Sequence, residues 1–228
     1  FLLVHEKSDY IIYGGITIFA SSASSVLNLI NAHKYIDLKP IENYNFKQHL
    51  KPICIFFAMA CATTIYTNLD NVMLGFMATD MDVGYYNAAV KIKGILVAVV
   101  TSLGTVLLPR ASYYVENGIM DEFKRITNKA LAFVGLSSTP LMIYFILFAK
   151  ETVFFLSGKE YAGAIIPMQV IMPTILLIGI TNVLVIQVLI PLGKEKIVLY
   201  SEVIGAIVDV IINMMLIPKL ASTGAAIG

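Results

Sequence analysis

The sequence contains few charged residues. Lys, Arg, Asp and Glu make up 14% of the 228 positions, whereas 58% are hydrophobic. Soluble domains have about 25% charged and about 45–50% apolar residues, so this composition argues against a water-soluble domain. The formal net charge of +1 argues against a nucleic-acid partner, because phosphate binding requires clustered Lys and Arg.

Cysteines and catalytic motifs are also scarce. Cys54 and Cys61 are about 10 Å apart along one predicted helix, too far apart for a disulfide bond. The chain has no HExxH, GxGxxG, P-loop or GxSxG motif, and its three His lack metal-ligand spacing. We therefore expect neither an enzyme nor an organic cofactor.

Long apolar runs dominate the sequence, and each can cross a bilayer as a helix of about 20 residues. The runs are Pro52–Met77, Asn87–Leu108, Ala130–Ala149, Ile165–Ile190 and Ile197–Ile217. Tyr10–Ala32 is a more polar candidate, and a further small-residue helix begins near residue 221. The sequence predicts an all-α integral membrane bundle of about six spans plus the start of another, as a piece of a larger protein.

The loops between these runs predict an orientation. Ten Lys and Arg residues lie in the first, third and fifth loops, at 33–51, 109–129 and 191–196, and four lie in the N-terminal stub and the other loops. Basic residues are enriched in cytoplasmic loops. The first, third and fifth loops are therefore predicted to be cytoplasmic, and 78–86 and 150–164 to lie outside.

Two of the predicted cytoplasmic loops have further features. The 33–51 stretch, with Lys39-Pro40 and Lys51-Pro52, predicts a linker between two helical bundles and places Pro52 in the first turn of a new span. Asn117–Lys129 has apolar residues at helical spacing. It is either a short amphipathic helix on the membrane surface or the first turns of the next span.

Polar and small residues recur at helical spacing inside several spans. The sets are Thr63, Thr67, Asp70 and Asn71; Asn87, Lys91, Gly94, Ala98, Thr101 and Thr105; and Glu202, Gly205, Asp209 and Asn213. Close helix packing explains the Ser, Thr and Gly positions. It explains the charged positions less well, because each charge near the bilayer centre costs about 2.5–3.5 kcal/mol.

Four residues are therefore candidates for chemistry. The midpoint between Asp70 and Lys91 falls at 80–81, inside the predicted outer loop, so a symmetric hairpin would place both at the same depth. They would form a structural ion pair, line a polar cavity, or do both. Asp209 and Asn213 share a helix face, and their oxygens together with Asp70 suit a hard cation. The alternative is a neutral, buried Asp209. Lys93 is predicted to face elsewhere and to extend towards the outer interface.

Five short motifs in sequence resemble the polysaccharide-flippase branch of the multidrug/oligosaccharidyl-lipid/polysaccharide exporter superfamily. They are Leu69-Asp70-Asn71-Val72-Met73-Leu74-Gly75, Val83-Gly84-Tyr85-Tyr86-Asn87-Ala88-Ala89 with Lys91-Ile92, Leu108-Pro109-Arg110-Ala111-Ser112, Ile190-Pro191-Leu192-Gly193-Lys194, and Leu216-Ile217-Pro218 with Gly224-Ala225-Ala226. The resemblance runs from about residue 50 to the end. Before that, the chain matches only as a generic span and linker.

The resemblance implies two lobes of six helices around a central cavity in the bacterial cytoplasmic (inner) membrane. It implies alternating-access transport of a polyprenyl-diphosphate-linked oligosaccharide, with a polysaccharide polymerase and glycosyltransferases as further partners. This chain would hold the last span of the first lobe (1–32), a cytoplasmic linker (33–51) and most of the second lobe (52–228).

The resemblance also implies roles for particular residues. Lys91 would meet the diphosphate, with Asn87 and Thr101 on the same wall, and Asp70, Asp209 and Asn213 would bind a coupling Na⁺, the other coupling ion being H⁺. The rival hypotheses are an ion-coupled antiporter of cationic drugs, which requires carboxylates in the cavity, and a non-transporting assembly subunit with no polar cavity.

The orientation is testable by thiol labelling in full-length protein from which native cysteines have been removed. Single cysteines at Asp80 and Lys159 should react with an impermeant reagent added outside the cell. Single cysteines at Lys47 and Lys194 should react only after the membrane is permeabilised. The opposite sidedness would contradict the orientation.

Overall fold

Residues 10–32 and 47–228 are described by a computed structural model, and within those ranges every element is helical. The α-helices are α1 Tyr10–Ala32, α2 Lys47–Met77, α3 Asp80–Glu116, α4 Met120–Leu147, α5 Ala149–Ser157, α6 Ile165–Ile171, α7 Thr174–Asn182, α8 Glu195–Leu220 and α9 Ser222–Ile227. A 3₁₀ helix, Lys159–Ala164, precedes α6. A π-helix, Val183–Leu189, follows α7.

The chain divides into two units, Phe1–Gln48 and His49–Gly228. In the first unit, α1 is a helix of 23 residues. Most of the predicted linker, residues 33–46, lies outside the described residues. The rest of it is helical, because α2 begins at Lys47 and Pro52 lies inside the helix rather than in its first turn as the sequence had suggested.

The second unit contains four helices that are long and apolar enough to cross a membrane. They are Pro52–Met77, Asp80–Glu116, Met120–Leu147 and Glu195–Leu220. Lys159–Ile171 and Thr174–Leu189 form a fifth span if they are counted as one helix bent by 47°. The prediction of an all-α, multi-span membrane protein is confirmed.

The prediction that residues 78–86 form a loop is wrong, because α3 begins at Asp80. The Thr79 hydroxyl accepts a hydrogen bond from the Asp82 amide at 3.2 Å, and the Asp82 carboxylate accepts one from the Thr79 amide at 3.2 Å. This reciprocal capping box stabilises the first turn of a helix. The polar residues that suggested a loop are therefore the first turn of α3.

The predicted loop at 109–129 is also almost entirely helical. α3 continues to Glu116, and α4 begins at Met120. Phe123 and Ile126 are buried against Ala111 and neighbouring residues of α3. Of the two interpretations of Asn117–Lys129, the first turns of the next span is correct and a separate surface helix is wrong.

The fifth predicted span, Ile165–Ile190, is broken rather than continuous. The break follows Met172 and Pro173, where proline cannot donate a backbone hydrogen bond. The second half passes from the α7 helix into the π-helix. The preceding segment, predicted as a loop at 150–164, is instead occupied by α5 and the 3₁₀ helix.

The core of the second unit lies where α3, α4 and α7 meet. Val100 and Val134 are buried there with Ile175. A Cβ atom built on Gly179 of α7 would lie 2.6 Å from a methyl of Val134 and 2.8 Å from a methyl of Val100. A glycine at this position therefore lets three spans approach closely, as small residues do in membrane bundles.

Replacing Gly179 should therefore destabilise the bundle. In Gly179→Ala the added methyl must displace two buried valines, a type of overpacking that costs about 1–3 kcal/mol. We expect a lower midpoint of thermal unfolding for purified full-length protein in detergent. The control is Gly135→Ala on α4, where nothing lies within 4 Å of the added Cβ. Equal stability of the two variants would contradict this packing.

Candidate functional site

Asp70 of α2 and the Asp209–Asn213 pair of α8 meet in the structure. The Asn213 side-chain amide nitrogen donates hydrogen bonds to Asp70 Oδ1 at 2.7 Å and to Asp209 Oδ1 at 3.1 Å. Because both carboxylate oxygens accept from one nitrogen, they lie within about 6 Å of each other. The spacing along α8 places Asp209 and Asn213 one above the other. Asp70 precedes Asp209 by 139 residues in the sequence, and the fold brings it to this pair.

The burial of this cluster differs between the two helices. Asp209 is 4% exposed and Asn213 is fully buried, whereas Asp70 is half-buried. A buried carboxylate requires hydrogen bonds or a positive partner, because desolvation disfavours its charged form. One amide shared between two carboxylates supplies only part of that requirement.

Tyr86 of α3 completes the hydrogen bonds to Asp70. Its hydroxyl donates to Asp70 Oδ2, and its ring is 3% exposed. No pattern in the sequence assigns Tyr86 to this site. Its position next to Asn87 was the available signal, but an aromatic residue in an apolar span is usually part of the core.

Two oxygens of the cluster have no hydrogen-bond partner. They are Asp209 Oδ2 and Asn213 Oδ1, and both are buried. Gly228 lies against the second of them, since a Cβ atom built there would overlap Asn213 Oδ1. The cluster thus contains buried oxygens without a donor, and a hard cation can satisfy oxygens of this kind.

The donor set indicates the kind of cation that fits. It consists of two carboxylates and an amide, without thiolate or imidazole, and oxygen ligands of this kind favour alkali or alkaline-earth ions. Within residues 10–32 and 47–228, no group of three or more His, Cys, Asp or Glu residues is placed to hold a metal ion. The structure brings the three predicted cation-binding residues into contact. Cation binding itself stays a prediction.

The predicted substrate-binding residues lie on α3, apart from this cluster. Lys91 is exposed, and Asn87 and Thr101 are half-buried. The Thr101 hydroxyl donates to its own helix at Val97 O, 2.8 Å away. In the part of the chain that the structure describes, Lys91 forms no ion pair with Asp70. The structural ion pair considered for these two residues is therefore not formed.

The exposed surface of α2 is also polar. Thr63, Thr64, Thr67 and Asn68 are exposed, and each donates a hydrogen bond to a carbonyl one turn earlier, at 2.8–2.9 Å. Backbone bonding of this kind makes Ser and Thr tolerable within a bilayer. An Asn side chain retains a free carbonyl, so this face suits a polar cavity better than lipid.

A model of one protein family matches residues 15–166, and the family is described as "Polysaccharide biosynthesis protein". Among curated proteins, "Putative O-antigen transporter" of Shigella dysenteriae is 28% identical over 232 aligned positions, which cover 100% of this chain and 57% of the relative. A protein of the same name from Escherichia coli is 26% identical, covering 86% of this chain and 48% of the relative.

A third relative is "Probable flippase AglR" of Haloferax volcanii, which is 26% identical over 71% of this chain and 34% of its own length. No solved structure is significantly similar to the chain. The chain therefore spans about half the length of the first two relatives it matches. Its second unit is one part of the transporter-like proteins to which it is similar.

Proposed function

Because this chain belongs to the polysaccharide biosynthesis protein family, we propose that the full-length protein is a flippase for lipid-linked oligosaccharide. It moves a polyprenyl-diphosphate-linked sugar from the inner to the outer leaflet of the bacterial cytoplasmic membrane by alternating access. Lys91 is the observation that carries this proposal. It is a lysine that lies within a span, exposed on the surface of the second unit and without an ion-pair partner among the described residues.

An ammonium group within a span needs water or an anion, since exposure to hydrocarbon is costly. In this proposal the exposed face of α3 that carries Lys91 forms one wall of a cavity, and the rest of the full-length protein forms the other. A diphosphate is an anion with several acceptor oxygens, and charge-assisted hydrogen bonds to Lys are stronger than neutral ones. Asn87 lies one turn from Lys91 and Thr101 lies further along the helix, where both can contact the sugar or the phosphate.

The distribution of charge favours this proposal over an exporter of cationic drugs. Such an exporter needs carboxylates on its cavity wall. Three carboxylates that lie away from the ends of their spans are at least half-buried, since Asp209 is buried and Asp70 and Glu202 are half-buried. Lys91, also away from the ends of its span, is exposed, which suits an anionic substrate.

In this proposal the Asp70–Asp209–Asn213 cluster binds the coupling ion. A monovalent cation, Na⁺ or H⁺, binds between α2 and α8 and offsets the charge of two neighbouring carboxylates. Its binding changes the free energy with which α2 and α8 associate. A cluster that joins two spans is therefore able to couple an ion gradient to a change of conformation.

The substrate role of Lys91 is testable by complementation of a strain that lacks the full-length transporter. Lys91→Ala should abolish surface polysaccharide while the amount of protein in the membrane remains near normal. Lys91→Arg should retain part of the activity, because it keeps the charge but changes its geometry. The readouts are surface polysaccharide and membrane abundance measured on the same cells.

Two further variants make the Lys91 test specific. Lys150→Ala removes an exposed lysine outside the proposed cavity and should leave export unchanged. The double variant Lys91→Ala with Asp70→Ala should remain inactive. If the double variant restores export, Lys91 serves to neutralise Asp70, and its proposed role in substrate binding is wrong.

The coupling role of Asp209 predicts a loss of ion dependence. In vesicles that contain the full-length protein, Asp209→Asn should make lipid-linked oligosaccharide transport insensitive to an imposed Na⁺ gradient, because one of the two carboxylates is removed. The same measurement with a proton gradient distinguishes H⁺ coupling. Wild-type sensitivity in Asp209→Asn would exclude Asp209 as a coupling residue.

A further inference from the structure

Lys93 lies on the face of α3 that points towards Asp70. It follows Tyr86 by about two helical turns, so both residues share a face, and the Tyr86 hydroxyl donates to Asp70. Side chains on a helix lean towards its N-terminus, which for Lys93 is the direction of Tyr86. The leaning side chain therefore directs the ammonium of Lys93 towards Asp70, the carboxylate that Tyr86 contacts.

The setting of Lys93 differs from that of Lys91 two positions earlier. Lys93 is half-buried, whereas Lys91 is exposed. In residues 47–228, Lys93 forms no hydrogen bond and no ion pair at contact distance. A partly desolvated ammonium without a close partner is costly. The charge that reduces this cost is the carboxylate of Asp70, and the suggestion from sequence that Lys93 extends towards the interface does not explain it.

The charges of the Asp70–Asp209 pair and Lys93 do not balance. Asp70 and Asp209, when ionised, carry two negative charges within about 6 Å of each other. Tyr86 and Asn213 contribute hydrogen bonds but no charge. Lys93 contributes one positive charge from the neighbouring helix. One negative charge remains, which a single monovalent cation balances and a divalent cation exceeds.

We propose that Lys93 is a built-in counter-ion of the Asp70–Asp209 pair that restricts the site to one monovalent cation and pairs with Asp70 when that cation leaves. This inference rests on the cation-coupling part of the proposed function. The fixed charge lowers the affinity of the site, so a bound ion can be released. It also stabilises the empty site, which would otherwise hold two unbalanced carboxylates.

Direct ion binding to the purified full-length protein tests this role without transport. We would measure Na⁺ and Ca²⁺ affinity by calorimetry at constant ionic strength, with choline replacing Na⁺. Removing the charge in Lys93→Gln should lower the Kd for Na⁺ by about tenfold or more, given the strength of unit charges several ångströms apart in a protein. The same variant should acquire Ca²⁺ binding that the wild type lacks.

Matched variants separate charge from shape. Lys93→Arg keeps the charge and should retain Na⁺ affinity within about threefold of the wild type, which corresponds to less than about 0.7 kcal/mol. Lys91→Gln makes the same substitution on the same helix, and it should leave the ion affinity of the substrate-free protein unchanged. Lys93→Met is a second neutral variant, for use if Lys93→Gln does not fold.

Each outcome decides the proposal. Unchanged or weaker Na⁺ binding in both neutral variants would overturn it, as would an equal gain in Lys91→Gln. Na⁺ binding that appears only after Lys93 is neutralised would also overturn it, because the lysine would then occupy the place of the ion and the wild-type site would hold none. If neither the wild type nor any variant binds Na⁺, this inference and Na⁺ coupling both fail, and H⁺ coupling is judged by the proton-gradient measurement. The flippase proposal is judged separately, by polysaccharide export in the complemented strain.

Discussion

Carboxylates in an apolar medium must be given donors or cations, and this constraint organises the second unit. The meeting of Asp70, Asp209 and Asn213 gives both carboxylates a donor within the bundle. The Asn213 amide is shared between two acidic side chains, and Tyr86 adds a third helix to the same cluster. A few polar contacts thus define how α2, α3 and α8 approach one another, whereas apolar packing alone has little directional preference.

The two lysines of α3 show how one helix can serve two tasks. Lys91 and Lys93 are two positions apart, so they point to different faces of α3. One is exposed on the surface and the other is half-buried towards Asp70. In the proposed mechanism, the substrate anion and the coupling cation would therefore lie on opposite sides of the same helix. A movement of α3 that changes one environment necessarily changes the other.

Hydropathy was sufficient to predict the membrane class, and helical spacing was sufficient to place Asp209 and Asn213 on one face. The loops were predicted less well, because polar residues mark where a helix leaves the bilayer and not where it ends. α3 and α4 extend past both apolar runs and are separated by a short turn. Proline was ambiguous for a similar reason: Pro173 breaks a span, whereas Pro109 and Pro140 lie within continuous helices. Tyr86 and Lys93 could not be assigned from sequence, because their roles depend on a neighbouring helix.

α2 is attached unevenly along its length. Its buried residues, among those whose burial is described, are Met59 and Leu74, and Asp70 accepts hydrogen bonds from Tyr86 of α3 and Asn213 of α8. From Asp70 to Pro52 the helix continues for about 27 Å. The helix is therefore held to α3 and α8 near its C-terminal end, and the longer N-terminal part extends away from that attachment. A tilt of about 10° at Asp70 would move the far end by about 5 Å over this length, which is about the width of a lipid chain. In the proposed mechanism, a small rearrangement at the ion site would therefore produce a large displacement at the other end of α2.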